Sequence, residues 1–236
     1  MQALTRPLEI KAQPRIPQPL KIVALGDSLV YGFGDPEGGG WVERLRRQWM
    51  ADEHQAHVLY NLGIRGDRTF QVKNRLLEEF RNRGELRNRV PDLIMLSVGI
   101  NDSPRLGRAD GSCFTHFETF GQQMENLLEQ AQALCPVLFV GMIPVDEAKM
   151  PFLDCLYFNH DDQFRYKEAT KLACAERQIP YLDLFDIWME RGTHWRQMHT
   201  NSDGLHPNSR GYRSIWYEVI NWHPINQLSQ GKLLGE

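Results

Sequence analysis

Short, uninterrupted runs of apolar residues recur along the chain. Ile22, Val23, Ala24 and Leu25 lead into Gly26, and runs of the same kind follow over positions 57–62, 93–98, 137–143 and 179–184. Continuous rather than alternating hydrophobicity marks a strand covered on both faces, the habit of parallel sheets. Between the runs, apolar side chains return every three or four residues, the period of a helix with one buried stripe. Trp41, Leu45, Trp49 and Met50 form one such stripe, and Val72, Leu76 and Leu77 mark another within positions 70–80. Phe117, Phe120, Met124, Leu127, Leu128, Ala131 and Leu134 make the longest. Phe164, Ala169, Leu172 and Ala173 give a weaker stripe, and Ile215, Trp216, Val219 and Ile220 close the series.

Strand and helix in alternation predict right-handed βαβ crossovers and an α/β fold, with one parallel sheet covered on both faces. No internal repeat or low-complexity block divides the chain. The expected organisation is an extended leader over 1–20, where Pro7, Pro14, Pro17 and Pro19 oppose helix, one domain over 21–225, and a polar tail over 226–236 that frays.

Composition narrows the class. The chain has 236 residues, enough for one α/β domain that folds without metal or disulfide support. Twenty-seven Lys and Arg against thirty Asp and Glu give a net charge of −3, without the basic excess of a nucleic-acid binder. No apolar run approaches the roughly 18 residues of a spanning helix, so no integral membrane segment is expected. Residues 1–20 lack the apolar stretch of a secretory signal, and Cys113, Cys135, Cys155 and Cys174 include no CxxC pair. The expectation is a cytoplasmic protein with four buried thiols.

The candidate chemistry lies where strands end. Gly26-Asp27-Ser28-Leu29 follows the first run, Asn61-Leu62-Gly63-Ile64-Arg65-Gly66-Asp67 the second, and Gly99-Ile100-Asn101-Asp102 the third. Far downstream, Asp203-Gly204-Leu205-His206-Pro207 precedes the last helix, with Asp and His three apart so that a carboxylate can hold an imidazole. Singly, each has an ordinary reading: a helix cap at Asp27 or Ser28, a loop glycine at Gly66, an Asx-turn at Asn101, a solvated turn histidine at His206. Topology joins them. In a doubly wound sheet of order 2-1-3-4-5 the ends of strands 2, 1 and 3 are neighbours, and the switch point between strands 1 and 3 is where ligands bind. Gly66, Ser28 and Asn101 then share one crevice, a nucleophile between two neutral donors.

These four blocks, in this order from Gly26 to His206, resemble the GDSL or SGNH hydrolase family, named for its Ser, Gly, Asn and His. The resemblance implies a flavodoxin-like three-layer α/β/α sandwich with a five-stranded parallel sheet of order 2-1-3-4-5. It also implies a serine esterase or lipase-like acylhydrolase acting on small-molecule esters, without metal or organic cofactor. Ser28 would be the nucleophile, His206 its base and Asp203 the group that orients His206. The N–H groups of Ser28 and Gly66 and the amide of Asn101 would form the oxyanion hole. Arg65 departs from the small residue that many members carry before the glycine of the second block, which bears on substrate.

Asp27 reads as a structural carboxylate. His54 and His57 are three apart but have no evident third ligand, and His194 and His199 read as solvated loop residues. Arg65, Arg68, Arg105 and Arg108 follow the second and third strands, where they serve either as surface charges or as a grip on an anionic substrate. Met142-Ile143-Pro144, Met150-Pro151-Phe152-Leu153 and Tyr157-Phe158 read either as an acyl-chain groove or as core beneath a long loop. Within the family a thioesterase or lysophospholipase and a carbohydrate deacetylase stay open. Outside it, the rival is a flavodoxin-like module binding phosphate or flavin, although the first loop lacks a dense Ser/Thr/Gly phosphate cradle.

Overall fold

The computed structural model describes residues 19–51, 56–83 and 90–229. Most of the expected leader, His54 and positions 230–236 of the expected tail lie outside the described residues.

The described strands are β1 (Lys21–Gly26), β2 (Val58–Gly63), β3 (Leu93–Ser97), β4 (Arg105–Leu106), β5 (Val137–Val140), β6 (Leu156–Tyr157) and β7 (Tyr181–Leu182). Five pair in parallel in the order β2-β1-β3-β5-β7, and the two-residue strands β4 and β6 form a separate antiparallel pair. Counting only the main sheet, this is the expected order 2-1-3-4-5. Every residue of β1, β3 and β5 is buried, as their apolar runs require, and Lys21 and Ser97 at the strand ends are buried with them. β2 is one of the two edge strands and departs from that pattern: Val58 is exposed and Tyr60 and Asn61 are half-buried.

The described helices are α1 (Ser28–Tyr31), α2 (Gly40–Ala51), α3 (Thr69–Asn82), α4 (Phe117–Gln132), α5 (His160–Glu176), α6 (Leu184–Glu190), α7 (Thr193–His199), α8 (Ser209–Asn221) and α9 (His223–Ser229). The chain moves from β1 outward to β2, then back across β1 to β3. Right-handed crossovers therefore put α2 and α3 on opposite faces. α3, α4 and α5 pack side by side as one layer, and α2, α8 and α9 as the other. Among the described residues no helix is long and apolar enough to cross a membrane.

Several boundaries differ from the sequence reading. The run 137–143 is strand only to Val140; Met142 and Ile143 continue as buried coil. The run 179–184 contributes only Tyr181 and Leu182 to the sheet, because Asp183 caps α6 and Leu184 is that helix's first residue. α9 covers positions 226–229 and buries Ile225 and Leu228. The cysteines are free, but only Cys174 is buried and Cys155 is exposed.

The face that α5 buries only partly matches the expected stripe: Ala173 is buried and Ala169 half-buried. Phe164 and Leu172 are exposed, whereas Asp162, Gln163, Tyr166, Lys167 and Thr170 are buried. Each of these polar groups has a partner, which is the condition for burying it. Lys167 Nζ lies 2.9 Å from Asp183 and 2.7 Å from Asp186, and Asp162 takes two hydrogen bonds from Arg105. Gln163 donates to the Ile143 carbonyl and accepts from the Val145 N–H, while Tyr166 donates to the Thr115 carbonyl.

Candidate active site

Ser28 opens α1, the four-residue helix that starts directly beyond β1. Asp27 is its N-cap, accepting the Leu29 N–H at 2.9 Å through Oδ1. Gly32, in the left-handed region, ends the helix after one turn. The hairpin of chain beyond it is held by buried Asp35, whose carboxylate accepts from the Gly38 and Gly40 N–H groups and from Arg44. Tyr212 of α8 reaches across to donate to the Phe33 carbonyl at 2.9 Å and the Ser28 carbonyl at 3.3 Å. α1 is thus pinned from both sides.

Asn61 and Gly63 of β2 fix the second strand end against it. The Asn61 amide donates to the Val30 carbonyl at 2.8 Å and accepts from the Gly63 N–H at 3.0 Å. The loop then carries Gly66 at φ +81°, a conformation L side chains rarely adopt, and the Cα faces open space. Arg75 of α3 braces this loop, donating to Asp67 at 2.7 Å and to the Gly26 carbonyl at 2.9 Å.

Asn101 lies in the 3₁₀ turn Ile100–Asp102 that follows β3. One N–H of its side-chain amide donates to the Asp67 carbonyl at 3.0 Å, which orients the amide toward the Gly66 loop. Buried Asp102 anchors the turn from behind. It accepts from the Thr69 N–H and hydroxyl, each at 2.9 Å, and from the Thr115 hydroxyl at 2.7 Å.

The downstream turn closes the group. Asp203 Oδ1 accepts the N–H groups of Leu205 and His206, both at 3.0 Å, and Oδ2 lies 2.7 Å from His206 Nδ1. His206 Nε2 lies 2.9 Å from Ser28 Oγ. An ionised carboxylate only accepts, so the proton of the neutral ring sits on Nδ1 and Nε2 is free to accept from the serine hydroxyl. Asn201 ties the turn to the α1 side, donating to the Pro207 carbonyl at 2.8 Å and the Gly34 carbonyl at 3.3 Å. Phe33 and Phe152 meet the imidazole edge-on, with ring centroids 4.7 and 5.8 Å away.

The carboxylates near the site are tuned in opposite directions. Burial would raise Asp203, but hydrogen bonds from the His206 ring and from the His206 and Leu205 N–H groups outweigh it and hold the carboxyl below its usual value. Asp27 is pushed up to about 7, chiefly by complete burial and further by the charges of Asp102 and Asp67, against the pull of the Leu29 N–H. Its Oδ2 has no hydrogen-bond partner among the described residues. Burial also raises Asp102, despite its donors Thr115 and Thr69.

Ser28, Gly66, Asn101 and His206 line one cleft of about 360 Å³. Its apolar wall is Phe114, Phe152, Leu153, Leu156 and Leu205, so only part of the expected apolar segment faces the cleft; Met142, Ile143 and Phe158 are core. The four arginines separate. Arg65 lines the cleft with its guanidinium 3.7 Å above the centre of the Phe33 ring, and Arg68 lies 4.3 Å over Phe114. Arg105 is spent on Asp162 and Arg108 on Asp110, neither of them lining the cleft. His199 is a residue of α7, stacked on Trp195 at 3.7 Å, rather than a loop histidine. His57 is buried and accepts from the Leu20 N–H.

Sequence reasoning passed over Asn201, Tyr212, Thr69 and Thr115. Nothing local marks Tyr212, Thr69 and Thr115, whose partners here are distant in the chain, and Asn201 links the nearby Pro207 to the distant Gly34. Phe33 and Phe114 were equally silent.

A family model, the GDSL-like Lipase/Acylhydrolase family, matches residues 24–214. No curated protein matches the chain in sequence. Among solved structures, a lipase/acylhydrolase from Enterococcus faecalis is similar at 21% identity and TM-score 0.66, over 85% of this chain and 93% of that one. An acetyl xylan esterase from Geobacillus stearothermophilus is similar at 15% identity and TM-score 0.65, over 87% and 94%. The psychrotrophic esterase EstA from Pseudoalteromonas is similar at 18% identity and TM-score 0.62, over 86% and 95%. At these identities the likenesses establish a shared fold.

Proposed function

The chain belongs to the GDSL-like lipase/acylhydrolase family, and on that premise we propose that it is a serine esterase using Ser28, His206 and Asp203. The observation that carries this reading is the unbroken chain of contacts from Asp203 Oδ2 through the imidazole to Ser28 Oγ, 2.7 and then 2.9 Å. A serine hydroxyl is a weak nucleophile at neutral pH and needs a base to take its proton as it attacks. In this reading His206 Nε2 takes that proton while Ser28 Oγ bonds to the ester carbonyl carbon. Asp203, kept ionised by its hydrogen bonds, stabilises the imidazolium without taking the proton.

The carbonyl oxygen becomes an oxyanion. Its donors are the N–H groups of Ser28 and Gly66 and the Asn101 amide, whose second N–H is left over after the bond to Asp67. Collapse breaks the ester C–O bond, and His206 gives its proton to the departing alkoxide. Water, activated by the same ring, then attacks the acyl-serine, releasing the acid and restoring Ser28. No step calls on a metal or organic cofactor.

The apolar wall of Phe114, Phe152, Leu153, Leu156 and Leu205 supports an acyl chain longer than acetyl. A reading as a phosphate or flavin binder leaves the Asp203–His206–Ser28 relay without a purpose. The test is turnover of 4-nitrophenyl esters by Ser28→Ala protein with an unchanged circular-dichroism spectrum. Loss of turnover to the background rate is expected, and wild-type activity in the variant would overturn the assignment.

A further inference from the structure

We propose that Arg65 is a specificity-determining residue that selects esters carrying an anionic group, carboxylate or phosphate, on the alcohol side of the ester bond. The inference rests on the esterase reading above and adds a substrate class to it.

Arg65 is exposed and lines the cleft, and it forms no ion pair or hydrogen bond among the described residues. Arg44, Arg75 and Arg105, by contrast, are committed to Asp35, Asp67 and Asp162. An uncommitted guanidinium presents a planar fork of donors that matches a carboxylate or phosphate. Stacking over Phe33 at 3.7 Å holds the fork in one orientation while leaving its N–H edges unused. The charge is local: the chain as a whole carries −3, so its overall field does not attract anions.

The side of the bond follows from His206. The imidazolium protonates the leaving alkoxide, so the alcohol portion lies beside His206. Phe33 and Phe152 both flank that ring, and of the two only Phe33 carries a cation among the described residues. An anion on the alcohol portion therefore meets Arg65, while the acyl portion is left to the apolar wall.

The test compares 4-acetoxybenzoate with its uncharged isostere 4-acetoxybenzamide, each corrected for uncatalysed hydrolysis, with 4-acetoxyphenyl phosphate as a third substrate. Wild-type protein is expected to favour the carboxylate over the amide by about tenfold or more in kcat/KM. Arg65→Gln is expected to bring the ratio within about twofold, mainly by raising KM for the anion, as for a contact made equally in ground and transition states. Arg65→Lys should retain part of the preference. Arg108→Gln removes the same unit of charge from an exposed residue outside the cleft and should leave the ratio unchanged. The phosphate and carboxylate arms show which anion is held better.

On the acyl side, mono-4-nitrophenyl glutarate should gain nothing over 4-nitrophenyl valerate. Equal rates for acetoxybenzoate and acetoxybenzamide in wild type, a preference that survives Arg65→Gln, or a preference on the acyl side instead would each overturn the proposal while leaving the esterase reading intact. Failure of wild type to cleave any of these esters would remove the esterase reading, and this inference with it.

Discussion

In the proposed mechanism the two hydrogens of the Asn101 amide have separate uses. One is held by the Asp67 carbonyl at 3.0 Å, which fixes the plane of the amide and leaves the other to receive developing negative charge. A donor positioned in advance is worth more in the transition state than in the ground state, because nothing reorganises as charge appears. Asn101→Ala is therefore expected to lower kcat by roughly 10²–10³ with a smaller change in KM. Steady-state kinetics on one 4-nitrophenyl ester checks this; a change confined to KM would remove Asn101 from the oxyanion hole. Ser28, Gly66, Asn101, Asp203 and His206 were legible in the sequence because each combines a distinctive residue type with a strand end or a turn. Asp102 stood in the same block, but its work was hidden: the Thr69 and Thr115 groups that it gathers lie 33 and 13 residues away. Arg65 reads in the sequence as either a surface charge or a grip on an anion, and the choice between them stays open because its partner Phe33 carries no local signal.

Elements position these residues by backbone proximity. β1 and β3 approach so closely at Gly26 that a Cβ there would lie 1.9 Å from the Ser97 carbonyl oxygen and 2.5 Å from a Val30 methyl. The carbonyl is backbone in a central strand and cannot move aside. Gly26→Ala is thus expected to destabilise the fold by more than about 3 kcal/mol, measured by denaturant unfolding. A loss under about 0.5 kcal/mol, the range of surface substitutions, would contradict this account of the strand junction. The long elements α2, α3, α4 and α8 were readable from periodicity because each sets one apolar stripe against the sheet. α5 was not, since its buried face holds Asp162, Gln163, Tyr166, Lys167 and Thr170 beside Ala173 and Cys174, and period alone cannot reveal polar groups that find partners. α6 and α7, with seven residues each, span too few turns to show a stripe. The run 57–62 reads as covered on both faces because Leu59 and Leu62 resemble those of a buried run, yet Val58 is exposed, since the edge position given by the order 2-1-3-4-5 leaves the strand partly uncovered.

Over the whole molecule, the switch point between β1 and β3 gathers buried carboxylates beneath the cleft, and this has a measurable cost. Asp27 titrates near 7 in the folded protein against an ordinary 3.8. Between those values the native state binds more protons than the unfolded chain, so stability falls as pH rises through the window. Raised Asp102 acts in the same sense; Asp203, held low, does the opposite and loses its contribution only as pH drops through the acid range. Asp27→Asn is expected to flatten the decline in Tm between pH 4 and 7, removing about 3 kcal/mol of pH-dependent destabilisation. Parallel Tm profiles for the two proteins would contradict the burial argument. The sheet order was accessible before any coordinates, because alternating elements and right-handed crossovers leave few topologies; the pairing of α1 with α8 through Tyr212, 179 residues from Phe33, was not. At every scale the proposed chemistry depends on His206 making Ser28 a nucleophile. Reaction with a fluorophosphonate probe followed by peptide mapping tests it most directly. One stoichiometric adduct is expected, on Ser28, lost in His206→Ala. An intact chain without adduct, or an adduct on another residue, would contradict it.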